Sequence, residues 1–305
     1  MAEGADVSAS ASCTTCSFSE DFSNYWTANV YFRARNGTFK RVPQVSNRFL
    51  EGTSGGMTVY YFPQDLKSSV TAFKPGFRMF AGDVNLRTSE GQSPKNCFRC
   101  YTGPNFQGDN DAPCMDPKLD TSGFPTEPCL GGIRTNIHFP TCWDGKNLDS
   151  PDHKTHMAYP DGYADNAPYA CPASHPVKVP QVMLEVVWDT TAFNDKSEWP
   201  EDGSQPFYLS TGDNTGHGQH GDYVFGWKGD ALQRAMDSGD CYAANCSAIA
   251  SQSFDTANKC TIPKTVTEAT DGSYRTGKVA CVCGRKWIWT SPRRLAFPKG
   301  MYRTE

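Results

Sequence analysis

The apolar stretches of this 305-residue chain are short, and Gly, Pro, Asn or Asp interrupts each of them. Val, Ile, Tyr and Phe dominate these stretches, and such residues suit a pleated, half-buried surface better than a helix. Residues 27–32 (TANVYF), 57–62 (MTVYYF), 77–81, 133–139 and 179–188 therefore read as strands. Asn36-Gly37 between VYFRAR and TFKRV is a hairpin signal, because both residues tolerate the positive φ of a tight turn. In 181–189, Val182, Leu184, Val186 and Trp188 share one face, with Glu185 and Val187 on the other, so Glu185 is expected to face a core or a cleft. Helical periodicity is scarce. Asp230 is placed to cap a helix through Leu232, Ala235 and Met236, and a second short helix is expected over 242–251. Long loops fill 101–131 and 143–177, a length that implies function or disulfide pinning. The expected fold is mostly β: one disulfide-bonded β-sandwich or jelly-roll-like domain with long loops and a few short helices.

Thirteen cysteines are more than a reducing compartment usually tolerates in a protein without metal. Two acceptor sites for N-glycosylation, Asn36-Gly37-Thr38 and Asn245-Cys246-Ser247, point the same way, to a secreted glycoprotein. The competing reading is zinc, since Cys13-Thr-Thr-Cys16 and Cys97-Phe-Arg-Cys100 have the gap of a zinc knuckle. Residues 1–12 (MAEGADVSASAS) hold neither the basic lead nor the apolar core of a signal peptide. The expectation is an exported protein whose natural leader is missing from this chain, as from a truncated gene model.

Twenty-nine basic residues against 33 acidic ones leave a net charge of −4, which argues against a nucleic-acid binder. No run of 18 apolar residues occurs, so no membrane span is expected. The charge is uneven. Residues 278–305 carry +6 and the rest −10, which separates a basic tail over 277–305 from a domain over 13–276.

All six histidines lie between His138 and His220. His153 and His156 fall in a stretch that also carries Trp143, Asp144, Lys146, Asn147, Asp149 and Asp152. His217 and His220 fall in a Gly-rich stretch with Asp213 and Asp222, and His175 stands between the two in Cys171-Pro-Ala-Ser-His175-Pro. Histidine exchanges protons near neutral pH, and an adjacent Asp fixes its tautomer. His153, His220, Asp222, Asp152 and Asp213 are accordingly the candidate catalytic residues. Trp143, Asp144, Lys146, Asn147 and Glu185 are the candidate substrate binders, because aromatic faces and polar side chains suit a sugar. His153, His156, His217 and His220 form a candidate site for a divalent metal. Each feature also has a structural reading: Asp149-Ser-Pro-Asp152 as a turn, His138 as a satisfied sheet residue, His175 as a loop lock, and Trp143 and Trp188 as core.

The stretches SNYW (23–26), GGMTVYY (55–61), GFRM (76–79), CWDGKNLDSPDHKTH (142–156), CPASHP (171–176) and GQHGD (218–222) resemble the fungal secreted domain-of-unknown-function family numbered nineteen ninety-six. The resemblance spans roughly 13–275. It implies a fungal, extracellular or cell-wall setting and a β-rich domain, in some members joined to a WSC-type sugar-binding domain. It supplies no reaction. The family's usual start contains a closely spaced histidine pair that this chain lacks, and the end from Val279 onward also departs from the pattern.

Three functions follow. One is a polysaccharide hydrolase or lyase that uses Asp and His as acid and base. Another is a divalent-metal-binding protein. The third is a non-catalytic wall-binding module in which the conspicuous motif merely knits loops. Convergence of His153, His217, His220 and Asp222 in one cleft would favour the first two.

Overall fold

The computed structural model describes residues 6–45, 56–63, 69–93, 95–103, 112–161, 170–241 and 245–261. The basic 277–305 segment, and with it the expected boundary at 276, lies outside the described residues.

Fourteen strands, three short α-helices and two 3-10 turns of helix (Thr191–Phe193 and Lys196–Glu198) are present among these residues. In chain order they are α1 (Val7–Ser10), β1 (Asn24–Thr27), β2 (Val30–Arg33), β3 (Phe39–Arg41), β4 (Thr58–Phe62), β5 (Arg78–Gly82) and β6 (Cys97–Cys100). Then come β7 (Asp120–Thr121), β8 (Ile133–His138), β9 (Cys142–Trp143), β10 (Met157–Ala158) and β11 (Val177–Lys178). The last are β12 (Gln181–Trp188), β13 (Phe207–Leu209), β14 (His220–Val224), α2 (Ala231–Asp237) and α3 (Phe254–Ala257). They form an antiparallel five-stranded sheet, β4-β12-β8-β6-β7, and three-stranded sheets β1-β14-β5, β13-β2-β3 and β10-β9-β11. The mostly β, sandwich-like expectation holds.

The two principal sheets pack face to face. Leu184, Val182, Val186 and Trp188 point inward from β12, and Tyr223 and Gly221 from β14. The approach is closest at Gly221, where a Cβ would lie 3.0 Å from Leu184 and 3.1 Å from Phe139, so a side chain there would push the sheets apart. Between the sheets, Tyr25, Tyr61 and Tyr223 join their hydroxyls in a row (2.7 and 2.9 Å) that ends on the buried Asp21 carboxylate at 2.6 Å from Tyr25. That row satisfies the phenols within an otherwise apolar core.

The expected strands are present, with one change. The 27–32 run is not a single strand: the chain changes sheets at Ala28–Asn29, with β1 pairing β14 and β2 pairing β13 and β3. The Asn36-Gly37 hairpin joins β2 and β3, with Gly37 at φ +79°. The helix after Asp230 forms, but the Asp230 carboxylate bonds the Arg234 guanidinium at 2.9 Å instead of capping the backbone. The helix expected over 242–251 is absent from its described part, 245–251. There the Cys241–Cys246 disulfide and the bond from Ala250 N–H to Glu20 hold the chain in turns.

Ten cysteines pair as 13–260, 97–114, 100–129, 142–171 and 241–246, and Cys16 is a buried thiol. The zinc-knuckle reading is overturned: Cys97 and Cys100 belong to two different disulfides, and Cys13 is bonded to Cys260 while Cys16 remains a thiol. No helix among the described residues is long and apolar enough to cross a membrane.

Candidate functional site

The outer face of the β1-β14-β5 sheet carries the candidate site. Register places Trp26, Asp222 and Phe80 in one row across the three strands. His220 lies two residues before Asp222 on the same face. Its ring stacks on Phe80 (5.2 Å, 22°) and leans on Trp26 (5.2 Å, 39°). The segment 148–153 runs along the free edge of β5, where Arg78 N–H donates to the Leu148 carbonyl and Phe80 N–H to the His153 carbonyl, at 2.9 and 2.8 Å. This brings His153 beside the Asp222 row.

Two protonation states follow from these contacts. Burial pushes the Asp222 carboxyl up to about 6, only partly opposed by the nearby His153. Among the described residues no hydrogen bond reaches that carboxylate. His153 donates from Nδ1 to Asp149 at 2.5 Å. Its backbone is left-handed (φ +56°), an uncommon conformation for a non-glycine residue, held by the Phe80 bond and the 150–156 turn. His220 donates from Nδ1 to the Gly218 carbonyl at 2.8 Å, and burial lowers its pKa, so its ring is neutral with the lone pair on Nε2. A carboxyl raised by burial thus sits beside two imidazoles, on an aromatic surface. Lys154 adds a cation 4.7 Å over the Phe80 ring.

The other predicted residues are placed elsewhere or occupied. Asp152 receives the Lys154 and Thr155 amides (3.0 Å each) and the Ser150 hydroxyl (2.8 Å). Burial raises its carboxyl, but these donors outweigh that and hold it below the ordinary carboxylate range. Asp213 is fully buried, accepts from Thr215 and Gly218 amides, and faces Arg87 at 3.6 Å, so it shapes the 212–218 loop. Asp144 holds the 144–147 turn through the Lys146 and Asn147 amides, and the Asn147 side chain is spent on Asp144. Lys146 lies exposed in that turn. Trp143 is buried, donates to the Asn147 carbonyl at 2.6 Å and packs edge-on against Phe77. Glu185 accepts from Tyr60 and Asn136 at 3.0 Å and faces Arg134 at 3.6 Å. It lies on the outer face of the five-stranded sheet, across the sandwich from Asp222.

The four candidate metal histidines do not converge. His156 is buried with both ring nitrogens used, on Ser150 (2.8 Å) and the Arg78 carbonyl (2.7 Å). His217 donates to Gln92 at 2.8 Å, beside Gly123. Among the described residues, the one group with metal-holding geometry is Asp240, Cys241 and Cys246, whose cysteines are bonded to each other. His138 bonds the Lys95 carbonyl within the sheet, and His175 bonds the Thr155 carbonyl and locks the 153–156 turn. Sequence reasoning missed Trp26, Phe80 and Asp149 as parts of the site. The signal for Trp26 was the SNYW stretch; Asp149 was read only as a turn residue.

The family model described as Domain of unknown function (DUF1996) matches residues 1–227. The chain belongs to this family. The match starts before residue 13 and ends ahead of α2, so it covers every residue of the Asp222 site and leaves α2 and α3 outside, unlike the 13–275 span expected. No curated protein and no solved structure matches this DUF1996 chain.

Proposed function

We propose that this is a secreted fungal wall protein that cleaves a cell-wall polysaccharide by acid–base chemistry at Asp222 and His153. The observation that supports this reading most is the state of Asp222, a carboxyl raised to about 6 in a row of aromatic side chains and facing an Asp-supported histidine. Trp26 offers a partly exposed ring for the apolar face of a sugar. The protonated Asp222 donates its proton to the departing glycosidic oxygen. His153, oriented by Asp149, takes a proton through Nε2: from water for hydrolysis, or from a sugar carbon for elimination. His220 is a second acceptor on the same surface.

The test is a polysaccharide panel incubated with the full chain, produced behind a supplied secretion leader. New reducing ends indicate hydrolysis, and new ultraviolet absorbance of an unsaturated product indicates elimination. Asp222→Asn keeps the shape but cannot donate a proton, so cleavage is expected to fall at least ~100-fold, the scale of one lost general acid, with polysaccharide retention unchanged. Undiminished cleavage by the variant removes Asp222 from the mechanism.

A second reading, a non-catalytic wall-binding module, is favoured by the use of Asp152, Asp213, His156 and His175 to hold loops. Retention of the wild-type chain on a polysaccharide with no cleavage of any panel member is the result that selects it.

A further inference from the structure

The two glycosylation sequons stand in opposite structural states. Asn36 is exposed at the tip of the β2–β3 hairpin. Its side-chain oxygen accepts from the Thr38 amide (3.0 Å) and the Thr38 hydroxyl (2.8 Å). The tripeptide is thus folded on itself: the Thr38 hydroxyl donates to the asparagine amide oxygen, and no described residue engages Asn36 Nδ2. Gly37, at φ +79°, gives this turn its backbone without strain.

Asn245 is also exposed, but its sequon is tied down. The middle residue, Cys246, is closed onto Cys241, five residues away. Asp240 draws on Ser247 as well: its carboxyl is held below the ordinary range first by the Ser238 hydroxyl, then by the Ser247 hydroxyl and backbone. An asparagine within so short a covalent ring cannot open into an extended acceptor, whereas a hairpin tip can fray locally.

We infer that Asn36 is the N-glycosylation site of this chain and that the Cys241–Cys246 bond keeps Asn245 unmodified. The inference rests on the secretory setting of the proposed function, not on the chemistry at Asp222. In the transfer, Asn36 Nδ2 forms a bond to the anomeric carbon of a lipid-pyrophosphate-linked oligosaccharide. The bond to the pyrophosphate oxygen breaks, the lipid pyrophosphate leaves with the electron pair, and the amide gives up one proton. The added glycan stands at the end of β3, the edge strand of its sheet, where bulk at the tip also discourages pairing with another chain.

The experiment expresses the full chain behind a cleavable leader in a eukaryotic host, with lysate and medium both collected. Enzymatic deglycosylation in 18O-water converts each occupied Asn to labelled Asp, read by peptide mass spectrometry. Label at residue 36 and little at 245 is expected. Asn36→Gln and Thr38→Ala should each remove the single glycan step on a gel, and Cys241→Ser should raise label at 245. An unlabelled Asn36 in both fractions, or equal label at 36 and 245 in the wild-type chain, overturns the inference. Because the leader is supplied and no cleavage is scored, failure here is distinct from failure of the polysaccharide reading.

Discussion

At the scale of single residues, Asp222 links the site to stability. Its folded-state carboxyl is raised from the ordinary 3.8 to about 6, so the folded protein holds a proton that the unfolded chain releases. The group is neutral in both states below the unfolded pKa and costs stability as pH rises from about 4 through 6. Asp222→Asn removes that cost. The variant should match the wild type near pH 3 and exceed it by up to about 3 kcal/mol at pH 8, measured by urea unfolding across pH. Equal stability of the two proteins at pH 8 contradicts a raised Asp222. His156 behaves oppositely, as a structural residue. Replacing it by Ala removes its bonds to the Arg78 carbonyl and the Ser150 hydroxyl and leaves a hole at a buried position, and should destabilise by about 2–4 kcal/mol. The clustering of histidines was legible in the sequence, but the partner of each ring nitrogen was not. His156 and His153 are three residues apart, and only the turn between them commits one to the backbone and the other to Asp149.

Among the elements, strand pattern was the best-read feature. The alternation in β12 put Leu184 and Glu185 on opposite faces, as in the structure, where Leu184 points inward and Glu185 lies on the outer face and not toward the core. The sheet change at Ala28–Asn29 was hidden, because residues that suit one strand also suit two joined by a bend. Glycines divide sharply by surroundings. Gly82 ends β5 at φ +87°, where a Cβ would sit 2.4 Å from the Gln219 carbonyl and 2.9 Å from the His220 Cα. Gly203 has a similar φ of +74° with nothing within 4 Å. Gly203→Ala should cost about 1 kcal/mol from backbone strain alone. Gly82→Ala must also displace β14 at His220, so it should cost at least about 2 kcal/mol more and weaken any activity of the site. Thermal unfolding of the pair, with the same polysaccharide assay, checks the difference; equal losses would mean that β14 yields freely.

For the whole molecule, the covalent framework and the packing of the sheets decide what meets what. The Cys13–Cys260 bond closes 247 residues of sequence separation and ties α1 to the α3 region. Its removal as a Cys13→Ser, Cys260→Ser pair should cost about 3–5 kcal/mol, read from the denaturant midpoint, because the unfolded chain regains the freedom the bond denied it. Packing also separated Glu185, read from the sequence as a substrate binder, from Asp222, read as catalytic. Glu185 and Asp222 each lie on the outer face of their own sheet, and the inner faces are pressed together at Gly221 and Leu184. They point out of opposite sides of the sandwich and cannot serve one bond of one substrate.

Local chemistry was readable from the chain alone: strand residues, the Asn36-Gly37 turn, an oxidised cysteine set and a histidine-rich middle. Each rests on a residue's own preference or on neighbours a few positions away, and these survive without knowledge of the fold. The candidate site did not. Trp26, Phe80, Asp222 and Asp149 come from four separate parts of the sequence, and strand register together with the edge pairing of 148–153 brings them together. Asp222 acquires its raised pKa from burial among those partners, a property of the assembled sheet and of no segment within it.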